Sequence, residues 1–240
     1  MTDLIVHQLP GAWGLPSISP FCLKLEAYLR MVGIPFRSVV DPTPFKGPKG
    51  KLPWIEHGAR RIGDSGFIID YLERTFGCDP DRGLDARSRA VGHALRRLIE
   101  ENLYWTMVYD RWMVEANWNT FRNVVLGGVP APLRPLVAVF ARRGVHRELV
   151  GHGIGKHTTA EIHEIGVRDI DAVAAVLGDQ PYLLGDEPTS IDATAYAFIV
   201  NIVRPPVASP VQVAGNGHPN LLAFLERFEQ RFLSAAPECA

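Results

Sequence analysis

The sequence predicts a two-part chain: an α/β unit over residues 1–77, then an all-helical region over residues 86–240. Three observations carry that reading. Short β-type runs and helical stripes alternate up to Gly77. A polar, turn-rich segment, CDPDRGLDAR (Cys78–Arg87), follows and reads as a linker. Beyond it the apolar spacing is helical throughout, with no clear strand pattern.

The first unit reads as β-α-β-loop-β-β-α. LIVHQL (Leu4–Leu9) is a short apolar strand, and GAWGLPSI after it is a Gly- and Pro-punctuated loop. Ser19–Met31 is a helix. Ser19 suits its N-cap, and Pro20 suits the first helical position, where a missing N–H costs nothing. Cys22, Leu25, Leu29 and Val32 recur at helical spacing, Gly33 stops the helix, and Pro35 prevents its continuation. FRSVV (Phe36–Val40) is a second strand, and DPTPFKGPKGK (Asp41–Lys51) is a loop with one helical turn. LPWIE (Leu52–Glu56) is strand-like despite Pro53; HGAR turns, and Arg61-Ile62 forms a further short strand. DSGFIIDYLERTFG (Asp64–Gly77) has capping residues, an apolar stripe and a terminal Gly, so it is a helix. In the second region a long helix fits Asp85–Asn117. Shorter helices fit Leu133–Arg143, Thr159–Leu177, Ile191–Val203 and Pro219–Leu233.

Composition excludes several classes. With 25 basic and 26 acidic residues the formal net charge is −1, and no basic block marks a nucleic-acid surface. No apolar run approaches membrane-spanning length, and the N-terminus carries Asp3 without a basic secretory n-region. Three cysteines, Cys22, Cys78 and Cys239, without a Cys-x-x-Cys pair, argue against a disulfide framework and for a reducing, cytoplasmic setting.

Three motifs have both a structural and a chemical reading. The start of the Ser19 helix points free N–H groups and a positive dipole end outward, which favours an anion such as a thiolate. Pro53 inside a strand fits either an edge position or a cis Leu52–Pro53 bond, which would turn the Leu52 backbone toward a ligand. Asp64-Ser65 caps a helix, and the same pair could hold the ammonium and carboxylate of an amino-acid end. Thr189-Ser190-Ile191-Asp192 has capping-box spacing before an apolar helix, and there structure alone suffices. GHGIGKH lacks the Ser or Thr of a phosphate loop, and His163-Glu164 lacks a second histidine at Val167. His152, His157 and Glu161 read as surface or capping groups, so no metal is expected. Tyr104, Trp105, Tyr109 and Trp112 fall at helical spacing as core, with one edge able to line an apolar pocket.

Taken in order, these features resemble the glutathione S-transferase family across essentially the whole chain. SPFCLKLEAYLRMVGIPF, GKLPWIEHG, DSGFIIDYLE, GIGKH and PTSIDATAYAF are similar to its metaxin and failed-axon-connections branch, which includes binding and import components. The resemblance implies an N-terminal thioredoxin-like domain, a C-terminal helical domain, glutathione as co-substrate and, commonly, a homodimer. It implies that Ser19 stabilises the glutathione thiolate, with Cys22 at the second position of a Cys-Pro-x-Cys pattern whose first Cys is here Ser19. It further implies Leu52 and the cis Pro53 against the cysteinyl backbone, Lys51 at the glycyl carboxylate, and Asp64-Ser65 at the γ-glutamyl end. The electrophile pocket would draw on Trp13, Tyr104, Tyr109 and Trp112. The expected activity is conjugation of glutathione to small apolar electrophiles, as in detoxification. The alternatives are a non-catalytic binding or scaffold protein, or a glutathione-dependent reductase or lyase using Cys22.

Overall fold

A computed structural model describes residues 4–41 and 44–234, so Asp3 and Cys239 lie outside the described residues. The first unit holds strands β1 (Leu4–Gln8), β2 (Arg37–Val40), β3 (Trp54–His57) and β4 (Arg60–Gly63), with helices α1 (Pro20–Met31) and α2 (Ser65–Phe76). A single 3-10 turn, Pro44–Lys46, is the helical turn expected in the proline-rich loop. The sheet order is β2-β1-β3-β4. β1 runs parallel to β2 and antiparallel to β3, which is antiparallel to β4. Leu4, Val6 and Ile55 turn inward and join Leu25 and Leu29 of α1 and Ile68, Ile69 and Leu72 of α2 in one core. Burying each such aliphatic side chain stabilises the fold by roughly 1.5–3 kcal/mol, before the entropy of ordering it.

The caps explain the helix bounds. Ser19 caps α1, and Gly33 after it sits at φ 70°, the left-handed conformation that glycine adopts without a Cβ penalty. Asp64 caps α2, and Gly77 ends it at φ 68°. Pro53 lies just before β3 rather than within the strand, and the Leu52–Pro53 bond is cis.

The second unit is all helix: α3 (Ala86–Arg97), α4 (Tyr104–Trp112), α5 (Glu115–Val125), α6 (Arg134–His152), α7 (Thr159–Leu177), α8 (Ser190–Val203), α9 (Pro210–Gly217) and α10 (Pro219–Phe232). The long helix expected over Asp85–Asn117 is interrupted twice. A π-helical stretch, Leu98–Leu103, follows α3, and the chain breaks at Met113–Val114, where Val114 is extended (φ −73°, ψ 116°). Arg142 of α6 explains the break. Its Nε donates to the Trp112 carbonyl at 2.8 Å and its Nη2 to the Met113 carbonyl at 2.9 Å, satisfying the orphan end of α4. α6 does not stop near Arg143 but runs on to Gly153 (φ 108°), because Val145 and Leu149 pack against Val108 and Ile162. α9 was not expected from the sequence, although Ser209 and Pro210 are an ordinary N-cap and first-position pair. Thr189 and Asp192 form the expected capping box, and α8 is buried on all sides. α1 packs chiefly on α8, with Phe21 edge-on to Phe198 at 5.0 Å, so both units share one core. Among the described residues no helix is long and apolar enough to cross a membrane.

Candidate functional site

Strand register gathers the sequence motifs at one end of the sheet. His7 near the end of β1 lies opposite Trp54 at the start of β3, and Trp54 lies opposite Gly63 at the end of β4. The loop leading to Ser19, the Leu52–Pro53 peptide and Asp64 therefore emerge side by side.

The turn into α1 is built by two serines. Buried Ser17 donates from Oγ to the Leu9 carbonyl at 3.0 Å and accepts from Ser19 N–H at 3.3 Å. Ser19 is half-buried, and its Oγ accepts from Cys22 N–H at 3.4 Å. The hydroxyl thus lies at the positive end of the α1 dipole, where Leu23 N–H donates to the Ser19 carbonyl at 3.0 Å, and its own proton remains able to donate. Cys22 is fully buried. Burial pushes its thiol up, with Ser19, the Leu9 backbone and Ser17 pulling only partly back. A buried neutral thiol packs; it is not a ready nucleophile.

At the second helix start Asp64 holds φ 82°, ψ 119°, an unfavourable region for a residue with a Cβ. Its Oδ1 accepts from Gly66 N–H at 3.0 Å, and the carboxylate is otherwise exposed. Ser65 is buried at the first position of α2. Lys49 Nζ lies 3.9 Å from Asp64 Oδ2 and 3.9 Å over the exposed Phe67 ring. Lys51, the lysine singled out in the sequence, is exposed beside half-buried Leu52 and buried Pro53. Lys49 is therefore the cation that meets Asp64, which an inspection of motifs alone did not suggest.

The four aromatic candidates divide. Trp13 (φ 54°) and Trp112 meet in one apolar cluster with Ile18, Trp118 and Phe121. Trp112 stacks on Trp118 at 5.0 Å, and Trp13 lies 6.3 Å from Phe121. Tyr104 reaches the start of α1 by an edge contact with Phe21 at 4.9 Å, and burial pushes its phenol up to about 12. Tyr109 turns instead to α7, where its hydroxyl is 2.6 Å from Thr159 Oγ1. Trp118 and Phe121 escaped notice because the sequence reading ended a helix at Asn117, where α5 in fact continues. Of the residues considered for a metal, His157 Nδ1 lies 3.8 Å from Glu161 Oε2 and the rest have further partners. His152 Nε2 is 2.9 Å from the Glu101 carbonyl oxygen, His163 Nε2 is 2.8 Å from Asp110 Oδ1, and Glu161 closes a capping box with Thr158. Among the described residues no group of three or more potential ligands is suited to a metal.

Residues 20–117 match the family model of the glutathione S-transferase N-terminal domain, and residues 166–228 match that of the C-terminal domain. The isoprene-epoxide–glutathione S-transferase of Rhodococcus sp. (strain AD45) is 34% identical over 95% of this chain and 99% of its own length. Failed axon connections of Drosophila melanogaster is 31% identical over 95% of this chain and 58% of its own length. Human metaxin-2 is 26% identical over 95% and 88%. Among solved structures, the β-etherase LigF of Sphingobium sp. strain SYK-6 superposes with a TM-score of 0.61 at 22% identity, covering 95% of both chains. A glutathione S-transferase of Methylobacterium radiotolerans, in complex with glutathione sulfonate, gives 0.62 at 21% identity over 96% and 92%. At those identities the structural likeness establishes the fold alone.

Proposed function

The chain belongs to the glutathione S-transferase family, and on that premise we propose that it joins the sulfur of glutathione to a small apolar electrophile, an epoxide being the first candidate. The observation that carries the reading is Ser19: a half-buried N-cap hydroxyl at the positive end of the α1 dipole. Such a site favours a thiolate over a thiol, because N–H dipoles and a donated O–H stabilise the charged form. One charge-assisted hydrogen bond of roughly 1.5–3 kcal/mol acting only on the thiolate lowers its pKa by about one to two units.

In the proposed reaction the thiolate attacks an epoxide carbon, the C–S bond forms as the C–O bond breaks, and the released alkoxide takes a proton from water. Asp64 holds the γ-glutamyl ammonium, while Ser65 and the N–H groups of α2 hold its carboxylate. The Leu52 backbone takes the cysteinyl unit, and Lys51 the glycyl carboxylate. Trp13 and Trp112 supply apolar wall. The epoxide is suggested by the printed name of the Rhodococcus relative. Burial of the Cys22 thiol opposes a reductase or lyase mechanism through that residue. Binding without turnover is a second reading. It is favoured by the packing of Trp13, Trp112, Trp118 and Phe121 on one another, which fills space a substrate would use.

Steady-state turnover of glutathione with a small epoxide tests the proposal. Ser19→Ala, once shown to be folded, should lower kcat/KM by roughly tenfold to a hundredfold with glutathione affinity nearly intact. Cys22→Ala should cost only some stability. Loss of activity in Cys22→Ala with full activity in Ser19→Ala would reverse the roles. Glutathione binding by the wild type with no turnover would favour the second reading.

A further inference from the structure

Arg111 of α4 is a buried cation without a hydrogen-bonded carboxylate. Its Nη1 donates to the Ile18 carbonyl at 2.8 Å, and its Nη2 to the carbonyl and Oδ1 of Asn201 in α8, at 2.6 and 3.0 Å. All three acceptors are neutral, and Nε has no partner among the described residues. The guanidinium carbon lies 5.3 Å from the centroid of the Phe121 ring. The adjacent acid, Asp110, gives its Oδ1 to His163 of α7 at 2.8 Å. Buried charges are ordinarily paired, because desolvating an unpaired one is costly. The Ile18 carbonyl belongs to the peptide that joins Ile18 to Ser19, so this cation sits one peptide from the residue assigned to the thiolate.

We propose that Arg111 is a positioning residue for the glutathione thiolate: it clamps the Ile18–Ser19 peptide between α4 and α8, and its buried charge favours the anion at Ser19. The inference rests on the transferase reading above. The other titratable groups around Arg111 do not replace it. Tyr104 of α4 is a phenol pushed up to about 12, so it is neutral at physiological pH, and Glu148 of α6 bears on it. Cys22 of α1 is a buried thiol pushed up. Asp110 is paired with His163, and its carboxyl is itself pushed up by burial. Burial lowers Arg111 only to about 10, so it keeps its proton at neutral pH. An opposite charge within about 4–6 Å moves a pKa by roughly 1–3 units; from one peptide farther off, about one unit is expected.

The test is the pH titration of bound glutathione, followed by the ultraviolet absorbance of its thiolate, in wild type, Arg111→Met and Arg111→Lys. Arg111→Met should raise the bound thiol pKa by about one unit, a roughly three- to eightfold loss of thiolate at neutral pH, with glutathione affinity changed less than about threefold. Arg111→Lys keeps the charge and should hold the pKa within about half a unit of wild type. A wild-type pKa in folded Arg111→Met would overturn the proposal, as would equal displacement in both variants. If Arg111→Met does not fold, Arg111→Lys decides: a thiol titrating as free glutathione overturns the proposal, and a retained low pKa supports it. A wild type that binds no glutathione, or binds it with an unshifted thiol, would instead overturn the transferase reading.

Discussion

Asp64 joins backbone strain to chemistry in one residue. Its φ of 82° costs an L-residue of order 1–3 kcal/mol, which glycine would not incur. Asp64→Gly should therefore leave the thermal midpoint unchanged or slightly raised, since glycine as an N-cap loses only a few tenths of a kcal/mol relative to Asp. Glutathione affinity should nevertheless fall at least tenfold, because the exposed carboxylate is the group assigned to the γ-glutamyl ammonium. Calorimetry beside a thermal melt separates the two effects. Unchanged affinity in the folded variant would remove Asp64 from the site. At this scale the sequence was informative wherever chemistry is local. Ser19, Gly33, Gly77 and the Thr189–Asp192 box each act within a few residues, and each stands where the pattern placed it. Arg111 was not legible, because its partners Ile18 and Asn201 lie about ninety residues away along the chain in either direction.

The break between α4 and α5 is a property of elements rather than residues. Nothing in WMVEANW forbids a continuous helix, and the sequence reading ran one through it. The structure ends α4 because Arg142 supplies the donors for its last carbonyls and pairs with Glu115 at 2.7 Å, the first residue of α5. That partner lies some thirty residues downstream, beyond the reach of local periodicity. Arg142→Ala should cost roughly 1–3 kcal/mol, since it leaves half-buried carbonyls unpaired. Hydrogen exchange should rise around residues 113–118 and remain slow in buried α8. Uniform protection across both segments would mean that the break has another cause.

At the scale of the whole molecule, the two units are joined by a buried ion pair as well as by the shared apolar core. Lys24 Nζ of α1 lies 2.6 Å from Glu100 Oε1 in the π-helical stretch, and both side chains are buried. Arg97 reaches the other Glu100 oxygen at 3.2 Å. Burial pulls the lysine down while Glu100 holds it up. Removing one partner of such a pair strands the other, at a cost of about 3–5 kcal/mol, whereas replacing both by apolar groups can be nearly neutral. Lys24→Met should therefore lower stability by that order in denaturant unfolding, and adding Glu100→Leu should recover much of the loss. Additive losses in the double variant would show that the two charges do not act as a pair. α1 carries both this pair and Ser19, so the helix that would present the proposed thiol site is also the one locked to the second unit.

The central claim is that one end of the sheet binds glutathione with its sulfur at Ser19 and its γ-glutamyl end at Asp64 and Ser65. The most direct measurement is a crystal structure of the wild-type protein soaked with glutathione. The account predicts the sulfur within hydrogen-bond distance of Ser19 Oγ, the ammonium on Asp64 and the carboxylate on Ser65 and the first N–H groups of α2. Glutathione bound with its sulfur away from Ser19, or no glutathione at this end of the sheet at saturating concentration, would contradict it.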